Sequence, residues 1–309
     1  MRQLSKSKLI AFRQCPKRLW LEIHQPGLRD DSASEMVFAI GNQVGDVARQ
    51  IYDTKGDGGV LDIDEIGWDA AFSETSTWLA CTPAPLFEAA VCIEGALALA
   101  DVMLPEANGD DLRWHMIEVK SSTAVKDYHR EDLAIQAYIA TSAGIDLASA
   151  SVAHVDNSFV YPGGADYRGL LKAVDLTEEA RAQAGEVASW IAEAQEVAAL
   201  AAEPEIETGP QCSDPFGCPF LHHCDRAKPN VDFPLSSLHR LRSRKREELE
   251  ALGYDDLRNI PDEQLSPVNL RIKSQSLSGE AWFDAEGDCP VMTAMSGTDL
   301  KPVMAATPN

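Results

Sequence analysis

The sequence has no apolar run long enough to cross a bilayer, and its first twenty residues, MRQLSKSKLIAFRQCPKRLW, carry charges throughout. Neither a membrane-spanning helix nor a secretion signal is expected, so a cytoplasmic protein without a membrane partner is predicted. Basic residues are also scarce, because 27 Lys and Arg stand against 49 Asp and Glu, for a formal net charge of −22. This balance argues against a general nucleic-acid-binding surface.

The basic residues that are present are concentrated in two segments. Residues 1–29 carry seven Lys and Arg against one acid, Glu22, and residues 240–246, RLRSRKR, carry five against none. Two such segments fit a local nucleic-acid footprint, and they also fit the solvated faces of helices. Hydrophobic residues make up 45% and charged residues 25% of the 309 positions, which is typical of a globular protein with one large domain or two ordinary ones.

The apolar pattern alternates between the periods of helices and strands. This order predicts an α/β fold, at the border of α+β, with a central mixed sheet flanked by helices. A first domain is expected over residues 1–230, and a helical extension with a poorly ordered tail over residues 231–309. Predicted strands are 60–63, 87–93, 96–103, 113–120, 149–155 and 158–161; the main predicted helices are 17–23, 35–52, 70–79, 128–143, 177–202 and 235–252.

The segment from Glu94 to Lys120 carries the residues that suggest chemistry. A strand period of two places Glu118 and Lys120 on one face, and antiparallel pairing with the preceding strand would bring Asp101 beside them. Two carboxylates and an ammonium group at the end of a hairpin fit a Mg²⁺ site with a cationic helper. The alternative is an ordinary amphipathic hairpin with a surface Glu/Lys pair.

Three cysteines, Cys212, Cys218 and Cys224, follow one another at spacings of six in a segment rich in Pro and Gly. Thiolates at such spacing fit Zn²⁺ or an iron–sulfur cluster, which normally takes four ligands. Cys15 is one candidate for the fourth ligand, and His222 or His223 would instead complete a local zinc site. Ordinary loop thiols are a third interpretation, and the isolated Cys81, Cys92 and Cys289 are predicted to be core or surface thiols.

Together, Asp101…Glu118-x-Lys120 and Cys15…Cys212…Cys218…Cys224 resemble the RecB-like branch of the PD-(D/E)XK nuclease superfamily. The likeness is closer to the iron–sulfur exonucleases of the CRISPR-associated RecB-like family. Within that group, LSKSKLIAFRQCPKRLWLEIH and FEAAVCIEGALALADVMLP resemble the N-terminal module of an uncharacterised bacterial family that often carries a second, DEDD-like domain. The resemblance covers about residues 4–275 and implies a restriction-endonuclease-like core over residues 1–230.

The resemblance also implies a role for each matching residue. Asp101 and Glu118 would bind Mg²⁺ or Mn²⁺ with Glu88 as an extra acid, while Lys120 would activate water or stabilise charge on the phosphate. Gln136 matches the Gln of the family's Q-x-x-x-Y element, and the four cysteines would hold a [4Fe–4S] cluster, with Zn²⁺ as the alternative. The expected activity is that of a metal-dependent DNA exonuclease on single-stranded ends.

Two departures from the family pattern favour a second hypothesis. The early helix GNQVGDVARQ lacks the His found in the relatives, and Ala140 stands where the Q-x-x-x-Y element has Tyr. A catalytically inactive nuclease fold, zinc-bound in one version, would instead bind nucleic acid or a protein partner, such as a second nuclease-like domain. In the extension, KREELEALGYDDLRNIPDEQL has the shape of a helix-hairpin-helix-like module, with a plain helical linker as the alternative.

Overall fold

The computed structural model of the chain describes residues 1–30, 35–108, 111–225, 231–239, 241 and 243–279. It divides into two units, Met1–Lys228 and Pro229–Asn309. The domain boundary predicted from the sequence lies two residues later, after residue 230. Cys289, the predicted tail, and Arg240 and Arg242 of the second basic segment lie outside the described residues.

A mixed sheet forms the centre of the first unit. Six strands follow in spatial order from β2 to β7, and β1 pairs with β4 alongside that path. The pairs β1–β4, β2–β3 and β5–β6 are parallel, and the pairs β3–β4, β4–β5 and β6–β7 are antiparallel. The strands are β1 (Leu4–Ser5), β2 (Gly59–Val60), β3 (Leu86–Ile93), β4 (Ala96–Asn108), β5 (Asp111–Lys120), β6 (Leu147–Val155) and β7 (Leu171–Asp175).

Helices flank this sheet, which confirms the predicted α/β class with a central mixed sheet. The helices of the first unit are α1 (Lys6–Gln14), α2 (Pro16–His24), α3 (Glu35–Tyr52), α4 (Ile63–Ile66), α5 (Trp68–Cys81), α6 (Asp127–Ser142), α7 (Thr177–Ala182), α8 (Ala184–Ala199) and α9 (Leu221–Asp225). Nowhere in the described ranges is a helix both long and apolar enough to span a membrane.

Each face of the sheet has its own apolar cluster because side chains alternate along a strand. The larger cluster contains Trp114 and Met116 of β5 together with Leu133 of α6. A second cluster contains Ile117 of β5, packed with Tyr52 of α3. Along β5, Trp114 and Met116 thus face one cluster while Ile117 and Val119 face the other, which is the period of two on which the prediction of this strand rested.

Three sequence predictions about the elements of this unit are wrong. The strand predicted over 60–63 ends at Val60, and Ile63 begins α4. Residues 158–161 form no strand but part of the loop from Asp156 to Leu170, whose glycines Gly163, Gly164 and Gly169 have positive φ. The final strand is β7, further along the chain. The helix predicted over 177–202 consists of α7 and α8, which are separated at Gln183, just before Gly185. Glycine is a poor helix former, so a junction here is favourable.

The second unit has a small core of its own. Its helices are α10 (Ser243–Ala251) and α11 (Pro267–Ser278), so the helix predicted from 235 to 252 begins only at Ser243. Gly253, with φ of 80°, ends α10 in the left-handed conformation that glycine adopts easily. The core residues are Leu235, Leu238, Leu249, Leu257 and Ile260. The helix-hairpin-helix-like assignment stays a prediction.

Candidate active site

Three acidic residues lie side by side on adjacent strands. Phe87 of β3 pairs with Val102 of β4, which in turn pairs with Ile117 of β5. Glu88, Asp101 and Glu118 are the neighbours in sequence of these three paired residues. Because the strands are antiparallel, all three lie on the same side of the Phe87–Val102–Ile117 row. Asp101 Oδ2 accepts a hydrogen bond from the backbone N–H of Val119 at 2.7 Å. The Asp101 carboxylate thus continues the ladder where regular β4–β5 pairing ends.

Glu118 is the centre of the cluster, and only 2% of it is exposed. Its Oε1 accepts hydrogen bonds from Lys120 Nζ at 2.5 Å and from Lys6 Nζ at 2.8 Å. Its Oε2 accepts a hydrogen bond from the Gln136 side-chain amide. Burial alone would raise the Glu118 pKa, but the ammonium groups of Lys120 and Lys6 outweigh burial and lower the pKa far below its usual range.

Asp132 is a second buried carboxylate that binds the same two lysines. Its Oδ2 accepts a hydrogen bond from Lys120, and its Oδ1 lies 3.3 Å from Lys6 Nζ. Burial would lower the pKa of Lys120, but Glu118, Asp132 and Asp101 together raise it above its ordinary value. In this arrangement Lys120 is therefore held as an ammonium ion, which donates hydrogen bonds to the carboxylates around it.

Neither Lys6 nor Asp132 was predicted from the sequence to be a site residue. Asp132 could have been found, because it stands four positions before Gln136 in α6 and so shares its helix face. Lys6 gave no comparable signal. It begins α1 directly after β1, whose pairing with the start of β4 brings the amino terminus to the sheet.

Glu88 occupies an unusual backbone conformation beside these residues. Its φ is 57°, in the left-handed region, where a non-glycine residue costs on the order of 1–3 kcal/mol. Burial raises the Glu88 pKa, Arg49 opposes this, and Glu118 adds to it. The structure thus brings together Asp101, Glu118, Lys120 and Gln136, with Glu88 half-buried in the row.

The cluster contains more negative than positive charge. Four carboxylates, those of Glu88, Asp101, Glu118 and Asp132, face the two ammonium groups of Lys6 and Lys120. Burial raises the Asp101 pKa well above its usual range, and Glu118 adds to the shift against both lysines. In addition, Gln136 Oε1 is buried and receives no hydrogen bond from any described residue. Hard oxygen donors with surplus negative charge suit Mg²⁺ or Mn²⁺ in chemical type.

The side-chain arrangement itself is not that of a formed metal site. Over the described ranges, no three His, Cys, Asp or Glu side chains are arranged to hold a metal ion. In the acidic cluster the reason is visible, because lysines and Gln136 occupy both oxygens of Glu118.

A cavity of about 190 Å³ opens beside the cluster. Lys120 and Asp132 form part of its wall, whereas Lys6 does not line it. Of the two lysines, Lys120 is therefore the one that a molecule bound in this cavity would meet.

The four cysteines of the predicted cluster line one pocket. Cys15, Cys212, Cys218 and Cys224 share it with Lys17 and Arg18 of α2. Burial raises the pKa of the Cys218 thiol, and it raises that of Cys224 to about 11. The Cys212–Cys218 loop is fixed to α1 by Gln14, whose Nε2 donates to the carbonyls of Gln211 (2.7 Å) and Phe216 (2.6 Å).

The remaining candidate ligands and thiols do not line this pocket. The His223 ring is hydrogen-bonded to Glu203, with 3.0 Å between Nε2 and Oε2. The side chain of His222 is exposed. Cys81 is exposed and Cys92 is half-buried on another part of the first unit. The four cysteines thus line one pocket, but like the acidic cluster they are not arranged as a formed metal site in the described ranges.

The crowding of carboxylates gives a prediction about stability. In EDTA, Asp101→Asn should raise the melting temperature, because it removes one buried negative charge beside Glu118 while Asn can still accept from Val119 N–H. A gain of about 1 kcal/mol corresponds to about 2–4 °C for a domain of this size. Differential scanning calorimetry would measure it, with the exposed Asp57→Asn as control. A lower melting temperature for Asp101→Asn would contradict the repulsion.

Comparison with known proteins adds little. No family model matches the sequence, and no curated protein matches it. A solved structure titled "Crystal structure of SSO0001" aligns with 67% of this chain and 79% of that chain, at 14% identity and a TM-score of 0.32. A likeness at that TM-score carries no argument about fold or function.

Proposed function

We propose that this chain is a metal-dependent nuclease of the RecB-like PD-(D/E)XK kind that hydrolyses phosphodiester bonds at single-stranded DNA ends. The observation that carries the proposal is the cluster beside the cavity. Asp101 and Glu118 meet on adjacent strands, Gln136 binds Glu118, and Lys120 reaches both the carboxylates and the cavity wall. An ordinary surface Glu/Lys pair would be exposed, whereas Glu118 is buried.

Asp101 and Glu118, with Glu88, would hold Mg²⁺ or Mn²⁺. Such an ion, when bound, neutralises charge on the phosphate oxygens and makes its water a better nucleophile at neutral pH. Gln136 fixes the orientation of the Glu118 carboxylate through its amide. Lys120, as a protonated donor in the cavity wall, would bind the phosphate oxygen on which negative charge develops.

In the reaction, the water oxygen forms a bond to phosphorus and one ester P–O bond breaks. The water proton passes to solvent or to the leaving oxygen, which gives one strand a phosphate and the other a hydroxyl. The residues above supply binding, orientation and charge, which is most of what phosphoryl transfer requires of a protein.

The four-cysteine pocket would hold a [4Fe–4S] cluster, with Zn²⁺ as the alternative. Four sulfur donors in one space are the normal ligand set for either. Both groups bind thiolates, so the site would be anionic, and Lys17 and Arg18 in the same pocket would compensate part of that charge.

A second candidate function is binding without catalysis. The specific observation in its favour is that Lys6, Lys120 and Gln136 occupy both oxygens of Glu118, so a metal ion would have to displace them. A nuclease fold fixed in this state would bind nucleic acid or a protein partner.

A nuclease assay separates the two candidates. With Mn²⁺ or Mg²⁺, the purified chain should degrade linear end-labelled single-stranded DNA, leave circular single-stranded DNA intact, and lose all activity in EDTA. Cleavage of the circular strand would overturn exonuclease action. Binding of DNA without cleavage in either metal would establish the second candidate.

A further inference from the structure

The cavity beside Lys120 has aromatic walls. Tyr128, at the start of α6, and Phe216, in the loop between Cys212 and Cys218, both line it. Their ring centroids are 4.5 Å apart with planes at 65°, so the edge of one ring meets the face of the other. Both side chains are half-buried. The Tyr128 ring also meets the His129 ring edge-on, with centroids 4.3 Å apart, and Lys126 Nζ lies 5.5 Å from the Tyr128 centroid, so a bound base would contact the part of each ring that is still exposed.

The same wall contains the imidazole of His129. His129 is 2% exposed, and its Nδ1 accepts from the backbone N–H of Lys126 at 3.1 Å. Burial, with Lys120 and Lys126, lowers its pKa to about 4, so the ring is neutral near pH 7. A neutral imidazole that accepts at Nδ1 carries its proton on Nε2.

We propose that this cavity binds one nucleobase of the single-stranded substrate, with its plane stacked on one of the two rings, Tyr128 or Phe216, and its edge packed against the other, beside the His129 imidazole. The volume, about 190 Å³, is below the roughly 300–1,000 Å³ of pockets that enclose drug-sized molecules, so it suits one base ring. The backbone phosphate of that nucleotide would then lie near Lys120. This inference rests on the proposed function, because it assigns the substrate contacts of the same site.

A base in this cavity cannot remain stacked within a duplex, so the site selects an unpaired strand. Aromatic stacking is tolerant of base identity, which suits an enzyme that removes successive nucleotides. The strand preference thus follows from the cavity and does not require a basic surface, of which this acidic chain has little.

Phe216 also connects the base site to the cysteines. The Phe216 carbonyl accepts a hydrogen bond from the side chain of Gln14, the residue just before Cys15. Phe216 lies in the loop from Cys212 to Cys218, and both of these cysteines line the four-cysteine pocket. The ring that stacks on the base is therefore held by the same loop that would bind the cluster.

The test measures binding of short single strands in EDTA, which prevents cleavage. Oligonucleotides carry 2-aminopurine, whose fluorescence is quenched by stacking, or an abasic site, at each position in turn. One position near an end should show quenching, and the abasic site there should weaken binding about 5- to 150-fold, the equivalent of the roughly 1–3 kcal/mol of one stacked base.

Variants then assign the contact to the cavity. Tyr128→Leu and Phe216→Leu should weaken binding of the intact strand by a similar factor and abolish the penalty of the abasic site. Tyr128→Phe keeps the ring and should bind within twofold of the wild type. The control is Trp68→Leu, because Trp68 is an exposed aromatic that packs on Phe72 and does not line this cavity.

Each outcome decides the inference. If Tyr128→Leu weakens binding of intact and abasic strands equally, the ring has only a structural role and the base site is wrong. Absence of a quenched position has the same meaning. If the wild type cleaves DNA but shows no quenched position, the nuclease function is supported and the base site is contradicted. If a position is quenched but no cleavage occurs in Mn²⁺ or Mg²⁺, the base site is supported and the nuclease function is contradicted.

Discussion

Replacing Lys120 by Met should lower the rate of single-stranded DNA cleavage by about 10²–10³-fold, the usual cost of removing one preorganised donor to a developing negative charge. Lys120 is the ammonium group that both binds the carboxylates and lines the cavity. Met has a similar length and no charge, so the change removes the donor with little change in volume. Single-turnover cleavage of an end-labelled oligonucleotide in Mn²⁺ would measure the effect.

Lys6 provides the sharpest comparison for Lys120. It also binds Glu118 and lies close to Asp132, but it does not line the cavity, so Lys6→Met should slow cleavage less than tenfold. Exposed Lys172→Met should leave the rate unchanged. Circular dichroism and melting temperature would show that each variant folds, as expected because Glu118 keeps one ammonium partner in either single variant. A wild-type rate for Lys120→Met would remove Lys120 from the mechanism.

Local sequence pattern predicts the part of the site that one hairpin builds. The period of two in β5 and its antiparallel pairing with β4 bring Asp101, Glu118 and Lys120 together, and both features can be inferred from a stretch of fewer than 30 residues. Gln136 needed the family resemblance, because nothing local to α6 indicates which of its polar residues faces the sheet.

The partners of these residues could not be predicted in the same way. Lys6 reaches Glu118 across a sequence separation of 112, through a two-residue strand that no hydrophobic pattern marks. The presence of Lys6 changes the charge of the site, because two ammonium groups, those of Lys6 and Lys120, donate to the same oxygen of Glu118. The sequence predicted a carboxylate pair with one cationic helper; the structure contains a network of four carboxylates and two lysines.

Errors in the fold occurred where tertiary context decides the element. Residues 158–161 have strand-forming side chains, yet the following glycines place them in a loop, and strand β7 pairs with β6 from a segment of weak pattern. Neither error moved the site, because the site lies on β3, β4 and β5, whose patterns are strong.

The four-cysteine pocket gives the largest expected effect on stability. Cys15→Ser removes the only one of its four thiols that comes from the amino-terminal helices and would open a covalent loop of about 200 residues. By the chain-entropy relation for a cross-link, closing such a loop contributes about 5 kcal/mol, so the melting temperature should fall by about 10–20 °C. Anaerobically purified wild type should be brown and contain iron and sulfide; Cys15→Ser should be colourless.

Exposed Cys81→Ser is the matched control and should change neither colour nor melting temperature. A colourless wild type that contains zinc would replace the cluster by a zinc site and leave the stability prediction standing. A Cys15→Ser variant with wild-type melting temperature would show that no metal group joins the two segments. The hydrogen bonds of Gln14 to Gln211 and Phe216, together with the packing of Trp20 and Leu21 on Phe220, would then hold the two segments together. Since these contacts are the same in wild type and Cys15→Ser, a fall in the melting temperature of the variant reports the loss of the metal link alone.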